Sequence, residues 1–223
     1  MEPADIYAAS RVRLLELASS LPAASLDVPL HATPPWVLVD GYRHVAGVCA
    51  DVLDGALEGA GTPEWTAAQL AARSTLTLDE VCSEWARRGP DLDERVAAAG
   101  RAMAFVAFDT WTHEQDIRAA AGVMGARDEV ATPLAAIALE SFNGRYTSSG
   151  APTVAVAMGE QPSQLGAGTP TLTLSTSPYE VLRMIFGRRS REQMAAAGWS
   201  GDGADAAIDA LHLFPLPAVD IID

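Results

Sequence analysis

The stretch DERVAAAGRAMAFVAFDTWTHEQDIRAAAG, residues 93–122, decides how this chain is read. Its apolar residues recur in three-four steps, the spacing of a helix with one packed face, and Asp93 stands where a helix start belongs. At about 100° per residue, Met103, Val106, Thr110 and Ile117 share one stripe. Asp109, His113 and Asp116 run along its border. The same spacing recurs in RVRLLELASSL (11–21), VLVDGYRHVAGVCADVL (37–53) and TLDEVCSEWARR (77–88), where Thr77 and Glu80 have the spacing of a capping box. A further helix is expected over 129–142. Breaks are expected at Gly89-Pro90 and across 55–63. Four or five antiparallel helices of this length predict a bundle occupying 1–145.

The character changes near residue 143. NGRYTSSGAP (143–152) reads as a polar linker. Beyond it, TVAVAMG (153–159) and TLTLSTS (171–177) alternate and are rich in β-branched residues, which predicts two strands. Helical spacing returns in PYEVLRMIF (178–186), REQMAAAG (191–198) and ADAAIDALHLF (204–214). Residues 150–223 therefore read as a small α+β domain.

Composition narrows the function. The chain has 223 residues, and 29 acidic against 15 basic side chains give a formal charge of −14. Such a surface repels phosphate backbones and anionic membranes, so neither nucleic acid nor a membrane is an expected partner. Two cysteines, Cys49 and Cys82, make no disulfide framework and fit a reducing compartment. The acidic start MEPADIYAAS lacks the apolar core of a secretion signal, and no apolar run reaches the roughly 20 residues of a membrane span. The expected location is the cytoplasm. Phosphate-loop, nucleophile-elbow and C-x-x-C patterns do not occur.

Two readings of Asp109 and His113 are open. Residues four apart on a helix are surface neighbours, so the pair makes either an ordinary hydrogen bond or two ligands of one metal ion. His44 raises the second possibility. It lies on another amphipathic helix beside Val45, Val48 and Val52, and reads either as a neutral core histidine or as a third ligand. Facing helices of a bundle build such sites, and three protein ligands leave a position for water or substrate. Asp116 would then orient its neighbours rather than bind metal. His31 lies in a Pro-rich lead-in and His212 near the C-terminus, and both read as structural or surface groups. Cys49 is turned away from His44 and reads as a packed core thiol.

Trp36 with VDGYRHVAGVCADVLDG (39–55), then TPEWTAAQLAARSTLTLDE (62–80) and FDTWTHEQDIR (108–118), resembles the mycothiol-dependent maleylpyruvate isomerase family of actinobacteria. TLTLSTSPYEVLRMIFGRRS (171–190) and GWSGDGADAAIDAL (198–211) extend the resemblance in the same order. It implies a mainly α protein: a DinB-like four-helix bundle followed by a small α+β domain related to sterol carrier folds. It implies a divalent metal, usually zinc, held by His44, Asp109 and His113, and mycothiol as a low-molecular-weight thiol cosubstrate. The family has glutamate where this chain has Asp109, a carboxylate one methylene shorter. Arg188 matches the family's Gly-Arg and is the candidate to bind a substrate carboxylate facing the metal cleft; its other reading is a cation completing a helix C-terminus. The implied activity is thiol addition to a small electrophile, giving cis–trans isomerisation or S-transfer. The alternative is a non-catalytic small-molecule or metal-binding protein of the same fold.

Overall fold

The computed structural model describes residues 1–125, 127–159 and 163–223. Contacts divide the chain into two compact units, Met1–Gly125 and Ala126–Ile222, with the terminal Asp223 grouped with the first.

The first unit holds α1 (Pro3–Ala18), α2 (Leu38–Asp54), α3 (Pro63–Ala72), α4 (Leu78–Ala99) and α5 (Ala104–Ala120). Helices α1 and α2 each pack against both α4 and α5, which makes a four-helix bundle, and α3 lies against α2. The apolar stripes meet in a core that includes Ile6, Leu14, Val45, Leu92, Val96, Val106, Trp111 and Ile117. Two hydrogen bonds between helices satisfy polar groups buried in it. The Trp85 indole N–H donates to the Tyr7 hydroxyl at 3.0 Å, and the Tyr42 hydroxyl donates to the Leu14 carbonyl at 2.9 Å.

Helix ends follow local chemistry. Helix α2 stops at Gly55, whose φ of 75° is left-handed backbone. At the start of α4 the expected capping box is present: Thr77 N–H donates to Glu80 Oε2 at 2.8 Å, and Glu80 N–H donates to Thr77 Oγ1 at 3.3 Å. Thr77→Ala is expected to lower unfolding stability by about 1 kcal/mol in urea titrations, the usual worth of such a cap.

Three expectations about helix limits need correction. Helix α4 runs unbroken through Gly89 and Pro90. Gly89 serves packing instead: a Cβ there would come within 2.4 Å of the Arg11 side chain, which crosses to form an ion pair with Asp93. Asp93 is thus an interior residue of α4 and heads no helix. The long stretch 93–122 is not one helix either. Gly100, at φ 57°, ends α4, and a short 3₁₀ turn leads into α5. Finally, α6 (Asp128–Ser148) runs well past 142 and takes in most of the segment read as a linker.

The second unit comprises α6, β1 (Val154–Ala157), β2 (Ser163–Leu165), β3 (Leu172–Ser175), α7 (Pro178–Ile185), α8 (Arg191–Ala195), β4 (Gly198–Gly201) and α9 (Ala204–Ala210). The sheet order is β2-β1-β3-β4, with β1 and β3 parallel and the outer pairs antiparallel. Strands β1 and β3 fall where alternation predicted them. Strand β2 (SQL) and strand β4 (GWSG) carry no β-branched residue, so no pattern announced them. In β4 the glycines are needed for close approach, since a Cβ on Gly198 would come within 2.4 Å of the Ser175 carbonyl oxygen. Helix α6 was expected in the bundle, yet it packs on α7 and β2. Asn143 Oδ1 accepts from Gly166 N–H at 2.8 Å, and the Tyr146 hydroxyl donates to the Pro152 carbonyl at 2.9 Å. An apolar helix face does not specify which neighbour will cover it. Among the described residues, no helix is long and apolar enough to cross a membrane.

Candidate metal centre

Helix α2 carries two glycines that let other helices approach closely. A Cβ on Gly41 would come within 2.8 Å of Ile117 of α5, and one on Gly47 within 2.7 Å of Gln69 of α3. One turn beyond Gly41, His44 meets the α5 residues Asp109 and His113. His44 Nε2 stands 3.3 Å from Asp109 Oδ1, and His113 Nε2 stands 3.7 Å from the same oxygen. The two imidazole centroids are 4.6 Å apart with planes at 72°. All three residues offer a ligand atom within 4.8 Å of the others. Among the described residues this is the group of histidine, cysteine and acidic side chains so arranged.

The second nitrogen of each ring points outward from the group to another acceptor. His44 Nδ1 is 2.7 Å from Gln69 Oε1, and the amide nitrogen of Gln69 donates to Asp51 Oδ2 at 2.7 Å. His113 Nδ1 stands 3.4 Å from Asp116 Oδ2, and Asp116 is buried. Both histidines are buried, whereas the Asp109 side chain keeps 29% of its surface exposed. Aromatic rings wall the group: Trp36 lies 5.6 Å from His113, nearly stacked, and 5.1 Å from His44. Trp65 meets His44 edge-on at 6.5 Å.

The donor set suits a borderline divalent ion. Two imidazoles and a carboxylate around a tetrahedral zinc, with bonds of about 2.0–2.2 Å, stand about 3.3 Å apart and leave a fourth position open. The separations of 3.3 and 3.7 Å from Asp109 lie close to that requirement. The shorter aspartate still reaches between both rings. Backing of each imidazole by an oxygen acceptor is what ligating histidines ordinarily have.

Each of the other sequence candidates has surroundings of its own. His31 is exposed, and His212 Nδ1 donates to the Phe214 carbonyl at 2.8 Å. Arg188 belongs to the second unit. Its Nη1 donates to the Phe186 carbonyl at 2.7 Å, just past α7, so the helix-completing contact is present. Cys49 is buried beside Tyr7, and burial pushes its thiol up. Cys82 is pushed up to about 11, again by burial first. Neither thiol supplies a thiolate at neutral pH. Gln69 escaped sequence reading. Its only signal was a polar residue on the buried side of the Trp65 helix.

No protein-family model and no curated protein matches the chain. Among solved structures, the mycothiol-dependent maleylpyruvate isomerase is similar, with a TM-score of 0.52 and 14% identity over 89% of this chain and 91% of that one. A mutant of that isomerase gives a TM-score of 0.54 and 13% identity over the same shares. At these identities the likeness is one of fold.

Proposed function

We propose that this chain is a metal-dependent enzyme that uses a low-molecular-weight thiol, mycothiol, to attack a small electrophilic substrate. The observation that carries the reading is the convergence of His44, Asp109 and His113, with Gln69 hydrogen-bonded to the first imidazole and the Asp116 carboxylate 3.4 Å from the second. These three residues would hold a divalent ion, zinc best suiting the donor set, and the ion would supply the positive charge that keeps a thiol ionised at neutral pH. That the chain's own thiols, Cys49 buried and Cys82 half-buried, are both pushed up supports an external thiol. Trp36 and Trp65 exclude water from one side of the group, which strengthens every electrostatic contact there.

In the reaction proposed, the thiolate sulfur adds to the electrophilic carbon of a conjugated double bond, and the displaced electron pair moves onto the conjugated carbonyl. Rotation about the resulting single bond and loss of the thiolate return the double bond in trans geometry. That is the maleylpyruvate type of isomerisation. Protonation of the adduct without loss of sulfur gives S-transfer. Arg188 is proposed to bind a carboxylate of the substrate through its guanidinium. The reducing cytoplasm is the proposed compartment.

Protein purified without an affinity tag is expected to carry one divalent ion per chain and to isomerise a maleylpyruvate-type substrate only when mycothiol is added. Stoichiometric metal without thiol-dependent turnover would instead identify a non-catalytic binding protein. Absence of metal, with none taken up on soaking, would overturn the enzyme and fit a non-catalytic small-molecule binder of the same fold. Arg188→Ala is expected to raise the Michaelis constant for an anionic substrate about tenfold or more while leaving metal content unchanged, since a charged hydrogen bond is worth about 1.5–3 kcal/mol. An unchanged constant would leave Arg188 as the helix-completing residue alone.

A further inference from the structure

We propose that Gln69 and Asp51 form a relay that fixes which nitrogen of His44 carries its proton, and so presents the Nε2 lone pair to the group made with Asp109 and His113. The proposal rests on the reading of those three residues as a ligand set. A free neutral imidazole can place its proton on either nitrogen, and only the unprotonated one can bind metal.

A carboxylate oxygen only accepts, so the Gln69 atom 2.7 Å from Asp51 Oδ2 must be the amide nitrogen. The amide oxygen of Gln69 is thereby turned to His44 Nδ1, also at 2.7 Å. That oxygen likewise only accepts, so Nδ1 must hold the proton. Nε2, 3.3 Å from Asp109 Oδ1, is then the nitrogen whose lone pair is given to an ion seated between them. The two links outward from His44 each permit a single direction.

The fold gives the relay little room to do otherwise. His44, Gly47 and Asp51 are spaced three and four apart, on one face of α2. The missing side chain of Gly47 lets Gln69 settle between the other two. Gln69 is 3% exposed, so its amide has no ready recourse to water. Helix α3 is itself tied to α4, where Arg73 Nε donates to Glu84 Oε2 at 2.9 Å. His113 is treated differently: it has a carboxylate, Asp116, on its outer side. The neutral amide at His44 directs the proton without adding a charge beside the ring.

The test uses the full chain. In metal-free protein with ¹⁵N-labelled histidine, long-range ¹H–¹⁵N correlation spectra are expected to show a proton on His44 Nδ1. Gln69→Leu should show both tautomers and weaken Co²⁺ binding, followed by absorption, by about 10–100-fold. Gln69→Glu alone sets two carboxylates against each other. Combined with Asp51→Asn it reverses the outer link while keeping an acceptor for Nδ1–H. The double variant is therefore expected to recover the single tautomer and most of the lost affinity. Should Gln69→Leu fail to fold, Asp51→Ala at the half-buried end frees the amide to turn and should also give two tautomers. A His44 tautomer and Co²⁺ affinity unchanged in these variants would overturn the relay. A wild-type chain that binds no Co²⁺ would overturn the ligand set instead, and the tautomer spectra would still decide the relay.

Discussion

His44→Ala and His113→Ala are each expected to abolish stoichiometric divalent-metal binding while leaving helical circular dichroism nearly unchanged. Either change leaves one imidazole and one half-exposed carboxylate, too few donors to hold an ion against water and buffer. Alanine is the best helix former, so α2 and α5 lose side-chain contacts without losing backbone propensity. The unfolding penalty should stay within the ordinary range of about 0.5–3 kcal/mol. Elemental analysis after equilibrium dialysis measures the outcome. Full occupancy in either variant would refute the assignment.

Glu114→Ala is expected to be the more damaging change to stability, by about 3–5 kcal/mol. Glu114 is fully buried on α5, and Arg13 of α1 grips it with two donors at 2.7 and 2.6 Å. Arg118 adds a third contact at 3.0 Å. Deleting the carboxylate leaves two guanidinium groups facing each other without the anion between them, the costly way to break a buried ion pair. Because Arg13 keeps about a quarter of its side chain exposed, water screens part of the loss and favours the lower end of that range. Chemical denaturation reads the result. A change below about 1 kcal/mol would mean that this tie contributes no more than a surface pair. By contrast, Asp54→Ala should leave the midpoint unmoved, since the Arg88–Asp54 pair is exposed.

The bundle and its candidate metal group were legible because both depend on spacing along single helices. Asp109 and His113 are four apart, and His44 borders an apolar stripe, so facing helices alone suffice to join them. What the sequence left obscure depends on contacts between segments. Gly89-Pro90 carries the usual mark of a break, but the glycine makes room for Arg11 and the helix continues. Gly100 looked like one more small residue in an alanine-rich run, whereas its positive φ ends a helix. The face of α6 showed that something covers it without showing that the sheet side does. Gln69 acts across a helix pair, through a gap that only Gly47 opens, and nothing in the spacing of either helix marks that meeting.

Helix α5 has one property whose reach extends beyond ligand geometry. Every residue from Thr110 to Ile117 is buried, so this segment has no solvent-facing side along which to fray. Baring His113 therefore means disrupting contacts with α1 and α2 together, an opening that approaches cooperative unfolding of the bundle rather than local breathing. The histidine is held ready before anything binds, and no ordering entropy remains to be spent there on association. Of the three residues, Asp109 alone keeps a substantial part of its side chain in reach of solvent.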